Sequence, residues 1–140
     1  MLLLSIDPGE TVGYAWIQKE KDELKLIKAD QKPWKDFLSG FHKQVQKQDD
    51  FEVLYEQYRI RKTTIAANMN KELITVKIIG AIEWLCDEYG YYCQSQPPGI
   101  GDAFFDKQRL KEMDLWIVGK EHARDAIRHG MWHLSFGRDK

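Results

Sequence analysis

The chain has 140 residues, of which 43% are hydrophobic and 31% are charged, and its formal net charge is −1 at pH 7. This length and balance indicate one folded domain over residues 1–140 and exclude the fibrous and disordered classes. The near-neutral charge does not favour a nucleic-acid ligand, but Tyr58 to Lys77 contains five basic residues and one acidic residue, a local excess that can attract DNA.

Apolar runs, alternating patterns and turn residues predict five strands and four helices. The strands are expected at Met1–Ile6, Val12–Lys19, Glu23–Ala29, Phe51–Gln57 and Tyr91–Ser95. The helices are expected at Trp34–Lys47, Asn70–Tyr89, Asp106–Met113 and Glu121–Phe136. Three strands, a helix and a strand in this order predict an α/β layer architecture.

The first strand and the two cysteines bear on the cellular setting. The apolar start reaches Asp7 without the basic leader and long apolar region of a secretory signal. Cys86 and Cys93 form neither a metal-ligand pattern nor a convincing disulfide framework. We therefore expect a reduced, cytoplasmic setting.

Three carboxylates stand at places that an α/β fold can bring together. Asp7 ends the first strand, Glu56 ends the fourth, and Asp125 lies on the last helix, three residues after His122. An aspartate at the end of a buried strand is costly unless it is paired or binds a metal, and residues three apart on a helix can point at one site. Oxygen ligands favour Mg²⁺ or Mn²⁺, and two such ions could promote hydrolysis of a phosphodiester.

Each carboxylate also has a simpler interpretation. An Asx turn would account for Asp7, and solvated ion pairs with nearby arginines would account for Glu56 and Asp125. The nearby arginines are Arg59 and Arg61 for Glu56, and Arg124 and Arg128 for Asp125. On the last helix, His129 and His133 are interpreted as partly buried or DNA-facing histidines without a catalytic role.

Three blocks of sequence resemble the RuvC-like Holliday junction resolvases, especially the short forms of bacteriophages, within the ribonuclease H-like superfamily. The blocks run from Leu4 to Ala15, from Tyr55 to Tyr58 and from His122 to Ala126. The resemblance implies a ribonuclease H-like α/β fold. In such a fold a three-stranded antiparallel meander and parallel strands form a five-stranded mixed sheet flanked by helices.

The resemblance also implies an activity and its residues. The expected enzyme is a crossover junction endodeoxyribonuclease that hydrolyses phosphodiester bonds in Holliday junctions and other branched DNA. Its catalytic and metal-binding positions fall on Asp7, Glu56, His122 and Asp125, with Mg²⁺ as cofactor and Mn²⁺ as a substitute. Some relatives have aspartate in place of His122, so this residue could be a ligand, a water-orienting base or both. The expected assembly is a homodimer whose interface includes the helix with Gly80.

Family members hold and open the junction with basic residues and an aromatic that follow the catalytic glutamate. The corresponding candidates in this chain are Tyr58, Arg59, Arg61 and Lys62. Lys107 and Lys111 either contact the scissile phosphate or are ordinary solvated lysines. Two rival functions are a nuclease of the same fold that acts on flaps, forks or RNA–DNA hybrids, and a non-catalytic DNA-binding domain.

Overall fold

The computed structural model describes residues 1–58 and 66–137. These residues form five strands, four α-helices and one π-helical turn. The strands are β1 (Leu2–Asp7), β2 (Thr11–Glu20), β3 (Glu23–Pro33), β4 (Glu52–Glu56) and β5 (Cys93–Gln96). The helices are α1 (Trp34–Gln46), α2 (Ala66–Tyr89), α3 (Lys107–Glu112) and α4 (Glu121–Trp132), followed by the π-helical turn His133–Gly137.

All the strands belong to one mixed sheet with the order β3-β2-β1-β4-β5. β1 and β2 pair antiparallel, as do β2 and β3, which gives the predicted meander. β4 runs parallel to β1, and β5 runs parallel to β4. A parallel pair needs a long crossover, which α1 and α2 occupy. The α/β class and the mixed five-stranded sheet predicted from the sequence are therefore confirmed.

The central strand β1 is buried on both faces because its alternate side chains enter two separate cores. Leu4 and Ile6 pack in the core that includes α1 and α2, whereas Leu3 packs in the core that includes α4. The α4 side chains in the second core are Ala126, Ile127 and Met131. In the described part of the chain, no helix has the length and apolar character needed to cross a bilayer.

The helix α4 packs unusually close to the sheet because glycines stand where the two elements meet. A Cβ atom at Gly130 would lie 2.5 Å from Cδ1 of Ile17. A Cβ atom at Gly13 would overlap the carbonyl oxygen of His122. Glycine inside a strand often marks such an approach of another backbone. The first turn of α4 therefore lies directly on β2, next to the end of β1.

Two strand boundaries differ from the sequence prediction by two residues or more. β3 continues to Pro33 rather than ending at Ala29, because the pairing with β2 extends as far as Thr11. β5 begins at Cys93 rather than Tyr91, because Tyr91 belongs to the end of α2. There Gly90 has φ 77°, and the Tyr91 N–H donates to the Cys86 carbonyl over 2.8 Å, as in a Schellman motif.

Two helix boundaries also differ by more than one residue. α2 begins at Ala66 rather than Asn70. α4 ends at Trp132, and the chain continues as the π-helical turn instead of an α-helix to Phe136. The apolar stripe predicted on this last segment is buried as expected. Its members are Ala123, Ala126, Ile127, Gly130, Met131 and Leu134.

Candidate metal centre

Asp7 is the last residue of β1, and its side chain is only 12% exposed. Burial raises the pKa of its carboxyl, the hydrogen bond with His122 opposes that effect, and the charges of Glu56 and Asp125 raise the pKa further. A buried carboxylate beside other carboxylates is destabilised in its charged form unless a cation is present. Asp7 is therefore placed where a bound cation would relieve an electrostatic cost.

The first turn of α4 is fixed to the meander through β3. The backbone N–H of His122 donates to Oε1 of Gln31 over 3.1 Å. Just before the helix, Nζ of Lys120 forms an ion pair with Oδ1 of Asp30 at 2.8 Å. Together with the close approach at Gly13, these contacts place the His122 side chain beside Asp7. Nδ1 of His122 lies 3.0 Å from Oδ2 of Asp7.

Asp7, His122 and Asp125 converge on one point. One ligand atom from each residue lies within 4.8 Å of the ligand atoms of the other two. Burial raises the pKa of Asp125, and the Arg128 guanidinium, which donates to Oδ1 of Asp125 over 2.9 Å, opposes that effect. The donor set of two carboxylates and one imidazole fits a divalent cation that accepts oxygen and nitrogen ligands.

Glu56 ends β4, the parallel neighbour of β1, so the sheet places it next to Asp7. Burial is the largest cause of the raised pKa values of Asp7 and Asp125, and the charge of Glu56 adds to it in both. The close group of three does not include Glu56. Its Oε2 lies 2.6 Å from Nε2 of the buried His129 instead. Burial is the largest single influence on the pKa of His129 and lowers it, but the hydrogen bond to Glu56 and the charges of Glu56, Asp7 and Asp102 together outweigh it, so the pKa is raised overall.

The residues expected to contact DNA fall in two places. Tyr58 follows β4 and is half-buried, whereas the candidates Arg59, Arg61 and Lys62 lie outside the described residues. Lys107 and Lys111 are exposed on α3, and their Nζ atoms lie 5.2 and 5.8 Å from the centre of the Trp116 ring.

The same Trp116 ring carries a third cation. The guanidinium of Arg124, on α4, lies 4.1 Å from the ring centre and donates to the Ile117 carbonyl over 2.6 Å. Arg124 therefore contacts Trp116. Of the two arginines considered as ion-pair partners of Asp125, it is Arg128 that forms the pair. We call Lys107, Lys111, Arg124 and Trp116 the basic cluster. It joins α3 to the helix that carries His122 and Asp125.

Sequence reasoning missed three residues that shape this centre: Gly13, Gln31 and Gln96. Gly13 had a usable signal, since a glycine inside a strand often marks a close approach of another backbone. Gln31 and Gln96 had none, because polar side chains on edge regions of a sheet are common. The sequence interpretation gives His129 no catalytic role, whereas in the structure it contacts both Glu56 and Gln96.

Comparison with known proteins places this geometry in a wider class. No protein-family model matches the chain, and no curated protein matches its sequence. Thermus thermophilus RuvC in complex with a Holliday junction substrate matches with a TM-score of 0.67 at 16% identity, covering 99% of this chain and 95% of that chain. Another structure of T. thermophilus RuvC gives a TM-score of 0.58 at 19% identity, covering 99% of this chain and 96% of that chain. The fowlpox virus Holliday junction resolvase gives a TM-score of 0.63 at 16% identity, covering 96% of this chain and 98% of that chain.

The chain therefore has the ribonuclease H-like fold. Within that class its structure resembles RuvC and the fowlpox virus resolvase over nearly the whole length of each chain. The resemblance drawn from the three sequence blocks is thus confirmed at the level of the fold.

Proposed function

We propose that this protein is a metal-dependent endonuclease that hydrolyses phosphodiester bonds in Holliday junctions and other branched DNA, as a crossover junction endodeoxyribonuclease does. The observation that carries the proposal is the convergence of Asp7, His122 and Asp125, with ligand atoms within 4.8 Å of one another. A domain that only binds DNA has no physical need to bring two partly desolvated carboxylates and an imidazole together, since desolvating charged and polar groups is costly. The fold is one that known resolvases use.

Mg²⁺ is the proposed cofactor, and Mn²⁺ is its substitute. Asp7, Asp125 and Glu56 would supply the carboxylate oxygens that both Mg²⁺ and Mn²⁺ prefer, and the imidazole of His122 would be an additional nitrogen donor. When bound, such ions activate a water molecule and stabilise the leaving oxygen of a phosphodiester. The carboxylates hold the ions, and His122 either binds one of them or orients the attacking water.

The DNA path in this proposal follows the exposed lysines of α3 and the residues that come after β4 in the sequence. Lys107 and Lys111 lie against the Trp116 ring next to α4, and their ammonium groups are candidates to neutralise phosphates of a bound DNA. On the β4 side, Tyr58 is the candidate for stacking on an unpaired base. Three further candidates for phosphate contacts follow it in sequence, namely Arg59, Arg61 and Lys62.

The proposed assembly is a homodimer formed through α2. One face of this helix is apolar and exposed, with Leu73 and Val76 each 41% exposed and Trp84 62% exposed. Gly80 lies on the same face, and a Cβ atom there would meet nothing within 4 Å. An exposed apolar stripe of this kind marks an interaction surface. A two-fold interface would present two metal centres to a junction that is itself close to two-fold symmetric.

A cleavage assay tests the function. The protein is incubated with Mg²⁺ and a four-way junction, a flap, an RNA–DNA hybrid or a linear duplex, each labelled on one strand. We expect the junction to be cut fastest. Preferential cleavage of the linear duplex would contradict the junction assignment. Binding of the junction without cleavage, in either Mg²⁺ or Mn²⁺, would favour a non-catalytic domain.

The matched variant for this assay is Asp7→Asn, which removes a ligand charge with almost no change in side-chain size. We expect it to abolish cleavage and to leave junction binding intact or tighter, because it also reduces repulsion between the site and phosphate. Retained turnover by this variant would show that Asp7 is not a core ligand.

A further inference from the structure

The buried histidine on α4 has a place in the metal centre that its sequence pattern does not reveal. We propose that His129 is a positioning residue that holds Glu56 in the orientation needed to bind a divalent cation. The proposal rests on the metal centre of the proposed function, and it concerns metal binding before any DNA is present.

The geometry is a chain of three side chains from three elements. Nε2 of His129, on α4, lies 2.6 Å from Oε2 of Glu56, at the end of β4. On the other side of the ring, Nδ1 lies 2.9 Å from Oε1 of Gln96, at the end of β5. His129 is 2% exposed and Gln96 is 4% exposed. The link therefore crosses from the helix to two neighbouring strand ends, with His129 and Gln96 buried and the side chain of Glu56 24% exposed.

The donor and acceptor roles in this chain follow from its partners. The carboxylate of Glu56 only accepts hydrogen bonds, so Nε2 of His129 must be the donor to it. Nδ1 donates if Gln96 presents its oxygen, and accepts if the Gln96 amide is turned to present its nitrogen. In both arrangements the Nε2–H group points at Glu56. The direction of this bond does not depend on how the Gln96 amide is assigned.

The consequence for Glu56 is that one of its two oxygens is occupied. A glutamate side chain has several rotatable bonds, and at the end of a strand it can adopt many orientations unless something holds it. The bond from His129 restricts Glu56 to orientations in which Oε2 faces α4 and Oε1 remains available as a ligand. Partners of this kind orient the residues that bind a metal and raise the affinity of the site.

A packing role alone does not explain a histidine at this position. The neighbouring side chains of α4 that face the sheet, Ala126, Ile127 and Met131, are all apolar and fully buried. An apolar residue would fill the same space without the cost of burying a polar ring. The two hydrogen bonds of His129 offset that cost, and one of them goes to a proposed metal ligand.

Two variants of equal polarity and different reach test the proposal. In His129→Gln the side-chain amide nitrogen can take about the place of Nε2, whereas in His129→Asn the shorter amide cannot reach Glu56. Mn²⁺ binding to the DNA-free protein is measured by isothermal titration calorimetry, after circular dichroism has shown that each variant is folded. We expect His129→Asn to bind Mn²⁺ roughly 10- to 100-fold more weakly than the wild type, and His129→Gln to recover most of that affinity.

The matched control is His133→Asn, which changes the other buried histidine of the same segment, one helical turn further on. We expect this control to bind Mn²⁺ as the wild type does. The proposal is overturned if His129→Asn keeps wild-type affinity, or if the Gln and Asn variants are equally weak, since that would mean that reach to Glu56 does not matter.

A second readout separates this inference from the proposed function. In junction cleavage, His129→Asn should raise the Mg²⁺ concentration needed for half-maximal rate more than it lowers the rate at saturating Mg²⁺. If the wild type cuts no DNA while the Mn²⁺ affinities follow the expected order, the nuclease proposal fails and the role of His129 stands. If the wild type cuts junctions and all the Mn²⁺ affinities are equal, the nuclease proposal stands and the role of His129 fails.

Discussion

At the scale of single residues, Asp7 and His122 hold each other in a contact that a bound cation would replace. Nδ1 of His122 and Oδ2 of Asp7 are 3.0 Å apart, and both atoms are candidate ligands. An atom that coordinates a metal must be free of a proton, so a cation bound by Nδ1 and Oδ2 would displace the proton that lies between them. The hydrogen bond keeps both side chains aimed at the same point until then. The site is therefore preorganised by its own residues.

Gly13 is the residue on which this alignment depends. We expect Gly13→Ala to weaken Mn²⁺ binding strongly and to destabilise the fold by roughly 1–3 kcal/mol, the usual cost of forcing an extra methyl group into a packed region. The added Cβ atom would overlap the His122 carbonyl and move the start of α4 away from Asp7. Calorimetry with Mn²⁺ and thermal unfolding measure the two effects.

Gly40 offers a matched control for this substitution. It lies inside α1, and a Cβ atom there would meet nothing within 4 Å. Gly40→Ala should stabilise the protein by about 0.5–1 kcal/mol, because alanine has the higher helix propensity. It should leave Mn²⁺ binding unchanged. If Gly13→Ala behaves like Gly40→Ala, the close approach of α4 to β2 is not what holds the site together.

The positions of individual residues are predictable from sequence only where one element fixes them. Asp7 and Glu56 end strands, and His122 and Asp125 share a helix, so alternation and helical spacing are enough to expect them at one edge of the sheet. His129 cannot be assigned in this way. Its partners lie on two strands distant in sequence, and nothing in the local pattern of α4 indicates which strand ends it meets.

At the scale of elements, α3 and α4 are linked by the basic cluster around Trp116. The cationic groups of Lys107, Lys111 and Arg124 lie 5.2, 5.8 and 4.1 Å from the centre of the Trp116 ring, and the attraction of each to the ring offsets their mutual repulsion. A phosphate group would relieve that repulsion. The arrangement favours the view that these lysines contact DNA over the view that they are ordinary surface residues.

The double variant Lys107→Ala and Lys111→Ala separates these two views. If each lysine neutralises a phosphate, junction affinity falls and the slope of log affinity against log salt concentration becomes shallower by roughly 0.9 for each phosphate that is no longer neutralised. Fluorescence anisotropy at several salt concentrations measures both. The control is Lys43→Ala with Lys47→Ala, at the end of α1 and on the opposite face of the sheet. Equal slopes for both double variants would mean that the α3 lysines are solvated.

Element boundaries show where sequence patterns stop being informative. The run Tyr91 to Ser95 has strand-like composition and predicts that β5 includes Tyr91. The residue before it, Gly90, follows the last residue of α2. The N–H of Tyr91 then donates to the Cys86 carbonyl as part of the C-terminal cap of the helix, so Tyr91 does not join the strand. Composition favours a strand there, but hydrogen bonds at the helix C-terminus decide the outcome. β3 is longer than predicted for a similar reason, because its partner β2 determines its length.

At the scale of the whole molecule, one face of α2 is apolar and exposed to solvent. The helix buries Ile78, Ile82 and Leu85 against the sheet and leaves Leu73 and Trp84 in solvent. This explains why the sequence of α2 is apolar on more than one side: one side is core, and the other is the proposed dimer interface.

We expect the wild type to be a dimer at micromolar concentration and Trp84→Glu to be a monomer, because a buried carboxylate without a partner is costly at an apolar interface. Light scattering after size exclusion measures the mass. Ile27→Glu, at an exposed apolar residue of β3, is the control and should remain dimeric. A wild type that is monomeric under these conditions would contradict the proposed dimer. A Trp84→Glu protein that stays dimeric would mean that the interface does not include this face of α2.

The separation of the site residues along the chain has a consequence for how the protein is made. The His122–Asp7 contact joins residues 115 positions apart. A ribosome releases the chain from its N-terminus, so β1 and Asp7 emerge long before α4 exists. Until α4 has been synthesised and has packed onto β2, the metal centre lacks His122 and Asp125, and a nascent chain has no means of cutting DNA. The order of translation itself delays the proposed nuclease until its fold is assembled.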